Sequence, residues 1–315
     1  MNAKPCSFAL SVLIGLATAL GQAQLASFSP DGAQLAVAHS DKVVVFDAAS
    51  GKALKTLSGH RDPVQCVAFA KDGKTLASGS YDGTVRLWNP ANGRMIREIK
   101  VPGDGITDAS VAAVCFSPDG KSLAAGSLEA IFLFRVESGQ SLAKLEGHAQ
   151  QVTSLSFSNN GKLLASGSAD GTALIWVVER GWSQLTFKPD RTWSVSFSPD
   201  GESLLTGSEA GAVIWSVADG SQSRVLVKDH SVRSAQYSAN GKSVATLSEG
   251  IASVWSSTGT PMGKFGKASE DFGARLQFVA LSPSGDLVAT VAPALAEIWT
   301  VATGKKRATL QLPKA

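Results

Sequence analysis

Four histidines and three cysteines carry the most reactive side chains of this 315-residue chain, and their placement does not make a catalytic or metal centre. His60 and His148 each follow a glycine, Gly59 and Gly147, and each precedes a turn that holds an aspartate, Asp82 and Asp170. His39 and His230 stand apart from these pairs. No Gly-x-Ser-x-Gly, His-Glu-x-x-His or phosphate-binding glycine loop occurs. Asp104 and Asp108 are close enough in sequence to form a carboxylate pair, but they sit in a Gly-rich stretch with no base beside them. No catalytic residue, metal site or cofactor is therefore expected, and the chain reads as a non-enzyme. Cys66 and Cys115 could pair in an oxidising compartment, but they fall in non-equivalent places of two strands predicted to be interior. Buried free thiols are the expectation.

Composition narrows the function classes. Charged residues make up 17% of the chain, below the roughly 25% usual for soluble domains. The net charge of +3 is spread without a basic block, so no nucleic-acid-binding face is expected. At the N-terminus, Lys4 precedes an apolar run from Phe8 to Leu20, with Gly21 and Ala23 before Gln24. This is the three-part pattern of a cleaved export signal over residues 1–23. The run falls short of the ~20 apolar residues that span a bilayer. The expectation is a chain that does not span a membrane, with a periplasmic or secreted address, in a bacterium.

A recurring phrase supplies the scaffold. An aromatic or leucine opens a five-residue turn that ends in glycine, at Gly32, Gly73, Gly120, Gly161, Gly201, Gly241 and Gly285. The spacing of about 40 residues is a repeat period. Each turn is followed by a short strand, a tight turn, and a strand that closes on an aromatic: Phe46, Trp88, Phe134, Trp176, Trp215, Trp255 and Trp299. Trp182 and Trp193 lie outside that series. Each unit reads as four strands; in the second, these are predicted at 64–69, 75–80, 84–88 and 94–99. A four-stranded unit apolar on both faces cannot stand alone, and seven of them close most simply as a ring. The predicted fold is all-β: a seven-bladed propeller of four-stranded antiparallel blades over residues 24–315.

These residues resemble the WD40-repeat family. The resemblance lies in Gly59-His60 and Gly147-His148, in the Leu76–Thr84 and Leu164–Thr172 segments, and in the closing tryptophans. It implies a buried structural chain of His60, Ser78, Asp82 and Trp88, and a second of His148, Ser166, Asp170 and Trp176. The expected order of donation runs from histidine to serine and on to the indole. The other blades depart from this pattern. The first has Val37 and the third Ala125 in the serine place; the sixth has Thr246 but Gly250 in the aspartate place; the fifth and seventh have Ala210 and Pro293 at the turn. With two complete networks, the remaining blades are expected to rely on apolar packing. Many family members exchange a strand between their ends. Here residues 24–28 and 307–312 read as complete strands of the first and last blades, so closure by side-chain packing is expected.

In this fold the d–a and b–c connections share one rim, and loops on a rigid frame carry binding. The longest steps of the repeat place Asp104 and Asp108 in one d–a loop, and Asp271 and Arg275 in another. Arg191 and Trp193 follow the fourth blade, Arg61 follows Gly59-His60, and Tyr81 sits in a b–c turn. Aromatic residues beside arginine are the usual make-up of a protein hot spot. The sequence thus points to an exported, non-catalytic scaffold that binds a protein or peptide on this rim, as a monomer or within a hetero-complex. The alternatives are a propeller hydrolase or lactonase with a metal in the channel, or an envelope-glycan binder that stacks sugars on Trp193 or Tyr81. Trp193 itself reads equally well as a core residue.

Overall fold

The computed structural model describes residues 24–103, 110–266 and 275–313. Its strands, β1–β28 in chain order, form seven sheets of four consecutive antiparallel strands each. In the second sheet these are β5 (Val64–Phe69), β6 (Leu76–Ser80), β7 (Thr84–Trp88) and β8 (Met95–Lys100). No helix occurs among the described residues. The expected export segment, residues 1–23, lies outside the described residues, as do Asp104, Asp108 and Asp271.

The burial pattern explains why the sheets need one another. β6 and β7 are buried at every position, whereas β8 turns most of its side chains to water and buries only Ile99. A strand buried on both faces must be covered by two neighbours. The apolar clusters accordingly lie between sheets. One joins Ala36, Val43, Val45 and Leu57 of the first sheet to Val64, Val67, Leu76 and Trp88 of the second. Each large side chain so covered contributes roughly 1.5–3 kcal/mol.

The repeated turn phrase is a side-chain cap on the a–b connection. In the first blade the Ser29 hydroxyl donates to Asp31 Oδ1 (2.5 Å) and accepts from the Gln34 N–H (2.9 Å). The same carboxylate accepts from the Ala33 N–H at 3.0 Å. Ser117 with Asp119, Ser158 with Asn160, Ser198 with Asp200 and Ser238 with Asn240 repeat the arrangement. The last residue of the phrase takes a positive φ, 72° at Gly32, which glycine adopts without strain.

A second glycine acts through space. Gly167 lies in β14 (Leu163–Ser168), and a Cβ there would stand 2.6 Å from the Thr192 methyl of the next blade. Gly79 and Gly126 hold the same position in their blades, where a Cβ would meet Val111 at 2.6 Å and Val152 at 2.7 Å. Glycine inside these strands therefore sets how closely the next blade approaches.

The innermost strands of successive sheets contact one another around the whole circle. The seam is made by β1 (Ala26–Phe28) against β25 (Phe278–Leu281). The first sheet holds β1–β4 and the seventh β25–β28, so among the described residues no strand is exchanged. Closure rests on a mixed cluster that includes Phe28, Val37 and Phe46 from the first sheet with Phe278, Ile298 and Leu310 from the seventh. Cys66 and Cys115 are both free thiols.

Candidate functional site

The strand order places the start of every inner strand, and so every d–a connection, on one rim. Beneath that rim His60 joins two turns. Its Nδ1 lies 2.9 Å from Asp82 Oδ2 and its Nε2 2.7 Å from Ser78 Oγ, to which Trp88 Nε1 donates at 2.8 Å. An indole N–H only donates. The direction therefore corrects the expected one: Trp88 donates to Ser78, Ser78 to His60 Nε2, and the His60 Nδ1–H to Asp82. Asp82 also accepts from the Arg61 and Thr84 N–H groups, each at 3.0 Å, and from the Thr84 hydroxyl at 2.6 Å. His148, Asp170, Ser166 and Trp176 repeat the geometry at 2.9, 2.7 and 2.8 Å.

The electrostatics fit a neutral imidazole beside a carboxylate. Burial lowers the pKa of His60 and of His148 against the opposing pull of their aspartates. For Asp82 burial works upward, but the hydrogen bonds from Thr84, Arg61 and His60 outweigh it and hold the carboxyl at about 2.

The other blades retain part of this chain. Trp215 donates to Thr206 at 2.9 Å, Trp255 to Thr246 at 3.0 Å and Trp299 to Thr290 at 3.0 Å. These three indoles are anchored as well as packed, so the expectation of apolar packing alone is too simple. The signal lay in the sequence as threonine in the serine place.

On the rim, Arg61 is exposed above the first network and Tyr81 is half-buried, with burial raising its phenol pKa. Arg191 lies over the Trp193 ring, 4.5 Å from its centroid, and stands 4.0 Å from Glu209. Trp193 itself is 8% exposed. It belongs to β17 (Thr192–Phe197) and supports Arg191 from below; it does not offer a face to solvent. Arg275 is exposed and packs over Gly250 of the neighbouring b–c turn. Trp182 is 52% exposed on the outer edge strand β16 (Trp182–Phe187), away from this rim.

The inner strands line a cavity of about 190 Å³ along the ring axis, walled by hydroxyl and amide side chains together with Trp193, Arg233 and Tyr237. Sequence reasoning did not find this lining. It comes from single polar residues scattered through strands whose other positions are apolar. Among the described residues no cluster of three or more metal-ligating side chains occurs. Among them, too, no helix is long and apolar enough to cross a membrane.

A family profile described as "IFT122 first beta-propeller" matches residues 110–314, and one described as "WD domain, G-beta repeat" matches residues 51–89. The chain is 52% identical over 62 residues to an intraflagellar transport protein 122 homolog of Danio rerio, covering 20% of this chain and 5% of that protein. It is 32% identical over 145 residues to the Mus musculus homolog, covering 46% of this chain and 12% of that one. It is 28% identical over 193 residues to the SIR4-interacting protein SIF2 of Saccharomyces cerevisiae, covering 57% and 35%. The chain thus matches only a minor part of each of these longer relatives. A chain of a crystal structure of the mitotic checkpoint complex superposes with a TM-score of 0.75 at 24% identity, covering 86% of this chain and 84% of that one, which shows the shared fold.

These relatives overturn the expected address. They come from eukaryotes, and two of the three are named as intraflagellar transport protein 122 homologs. The readings as a bacterial, signal-bearing, periplasmic or secreted protein are corrected accordingly. A lysine, a short apolar run and two small residues form a compositional pattern of low information, whereas the repeat match extends over more than half of the chain. The profile matches, the seven four-stranded sheets and the two His–Asp networks agree, and the chain belongs to the WD40-repeat β-propeller family.

Proposed function

We propose that this protein is a non-catalytic scaffold that binds a protein or peptide partner on the rim carrying the d–a and b–c connections. One observation carries the reading: Arg191 is stacked on the buried Trp193 at that rim, so its guanidinium is held in place before a partner arrives. An arginine already ordered by an aromatic gives up little side-chain freedom on binding, which is what makes such a residue an anchor. Arg61 and Arg275 add exposed cations on the same rim and Tyr81 a half-buried aromatic. Asp104, Asp108 and Asp271 belong to the same loops by sequence. The relatives' names support a role in assemblies, since one is a SIR4-interacting protein and the structural match is a chain of a multi-protein complex.

The test is crosslinking of the full chain in an extract of its own cells, followed by mass spectrometry. Replacing Arg61 and Arg191 together by alanine is expected to remove the crosslinked partner while the melting temperature holds. Asn92→Ala, in an exposed c–d turn on the opposite rim, is expected to leave it in place. A partner kept by the double variant and lost with Asn92→Ala would overturn the reading.

A further inference from the structure

The axial cavity contains polar atoms that the fold leaves without partners. Trp193 Nε1 and Ser194 Oγ are buried and make no hydrogen bond; each residue is 8% exposed and both line the cavity. Elsewhere in the ring, hydroxyls at these two strand positions are used. Ser154 Oγ accepts from the Val195 N–H at 3.0 Å, Thr153 donates to the Thr192 carbonyl at 2.6 Å, and Ser234 donates to the Val279 carbonyl at 3.2 Å. A buried donor left open loses its hydration without compensation, and such a group calls for a water, an ion or a ligand group.

A third donor stands beside them. Arg233 takes the second position of β21 (Val232–Tyr237), as Trp193 does in β17, so the two side chains occupy the same tier of adjacent blades. Arg233 is half-buried, and both its burial and the neighbouring Arg275 guanidinium press its pKa down. No carboxylate among the described residues lines the cavity or offsets that charge. The other ionisable groups in the wall are neutral: the Cys115 thiol is pushed up to about 11 and the Tyr237 phenol to about 12, in each case chiefly by burial.

We propose that the rim end of this cavity is a carboxylate-binding site, in which Arg233, Trp193 Nε1 and Ser194 Oγ hold one carboxyl group. The match is one of number and charge. A guanidinium fork, one indole N–H and one hydroxyl suit two oxygens that share a single negative charge. A phosphate dianion would need a second cation in the wall. A cavity of about 190 Å³ admits an acidic side chain, a chain end or a small carboxylic acid, but not a folded element. The site rests on the rim reading above only for a carboxylate that arrives on a bound partner; as a pocket for free carboxylates it stands alone.

The test uses the purified full chain at low ionic strength and calorimetric titration. Succinate represents a small acid, triglycine a chain end, and acetyl-Gly-Glu-Gly-amide an acidic side chain; triglycine amide and the matching Gln peptide are controls. Saturable binding of at least one carboxylate probe is expected, weaker by about tenfold or more in its uncharged counterpart. Arg233→Gln is expected to weaken binding by about tenfold or more, and Trp193→Phe by several-fold, with the carboxylate probe that binds best naming the source. Should Trp193→Phe fail to fold, Arg233→Lys replaces it; it keeps the charge but loses the fork, and an intermediate affinity is expected. Absence of saturable binding for every carboxylate, tighter binding of inorganic phosphate, or equal affinity in Arg233→Gln would overturn the proposal and leave a channel filled by water. Probe binding without a crosslinked partner would sink the scaffold reading alone; a rim-dependent partner without probe binding would sink only this one.

Discussion

At the scale of single residues, the chemistry of this protein is one of holding still. His60 and His148 are the groups a search for catalysis would reach first, and both are committed on each side to fixed partners. That commitment has a pH signature. Their folded-state pKa values lie below the ordinary 6.5, so the unfolded chain takes up protons first as the solution is acidified. Their contribution is complete above about pH 6.5 and is lost as pH falls from there toward the folded value. Asp82 and Asp170, depressed below the ordinary 3.8, lose theirs in a second, more acid window. The melting temperature is therefore expected to be level near neutrality, to fall below about pH 6.5, and to fall again below about pH 4. A curve level down to pH 5 would show that the imidazoles are not buried neutral. Both networks were legible in the sequence, because Gly-His and the aspartate turn are local phrases. The tiers of the axial cavity were not, since Trp193 and Arg233 belong to different repeats and meet only once the ring exists.

At the scale of strands, the innermost edge is the point of weakness, because an edge strand presents unpaired N–H and carbonyl groups. This ring covers its inner edges with side chains from the preceding blade. Ser27 Oγ accepts from the Phe69 N–H at 3.2 Å, Ser156 Oγ from the Phe197 N–H at 3.1 Å and Ser196 Oγ from the Tyr237 N–H at 3.1 Å. In each case the serine directly precedes the aromatic that opens the repeated turn. Cys115 holds that position in the third blade; its thiol donates weakly to the Phe116 carbonyl at 3.6 Å, and the nearby Phe157 N–H acts to lower its pKa against the larger effect of burial. The free thiol thus stands at the strand position where Ser27, Ser156 and Ser196 reach the next blade. Cys115→Ser is expected to preserve stability, and Cys115→Ala to lose roughly 0.5–1.5 kcal/mol, read from denaturant midpoints. Equal loss in both variants would mean that the sulphur acts through its volume alone. The sequence carried this device as a residue type next to a conspicuous aromatic, but its partner lies about 40 residues further on, and no local pattern names it.

At the scale of the whole molecule, stability is shared around a circle. Each cluster of apolar side chains belongs to two blades, and the seam between first and last blade is built like the others, with Phe28 and Val37 against Ile298 and Leu310. Among the described residues no exchanged strand locks the first and last blades together. Leu310 is fully buried in β28 (Lys306–Gln311), close to the end of the chain. Leu310→Ala is expected to destabilise by about 2–5 kcal/mol, as an interior leucine would, and to lower the unfolding temperature of the entire ring. If the variant loosened only the last blade and left the main transition in place, the ring would not be a single cooperative unit.

The sequence by itself determined the unit: the capped turn, the four strands, the aromatic that ends the third, and the count of seven, all of which depend on neighbours within one repeat. It also placed Arg61, Tyr81, Arg191 and Arg275 in the loops of one rim. What only the tertiary structure decided are relations between repeats: Trp193 turned inward beneath Arg191, glycines that admit the next blade, the particular side chains that meet at the seam, and a cavity with open donors. The physical reason is one of range. Hydrogen-bonded turns and alternating strands are set by residues a few positions apart, whereas the packing of one sheet on another is set by surfaces that the chain brings together only when the circle closes.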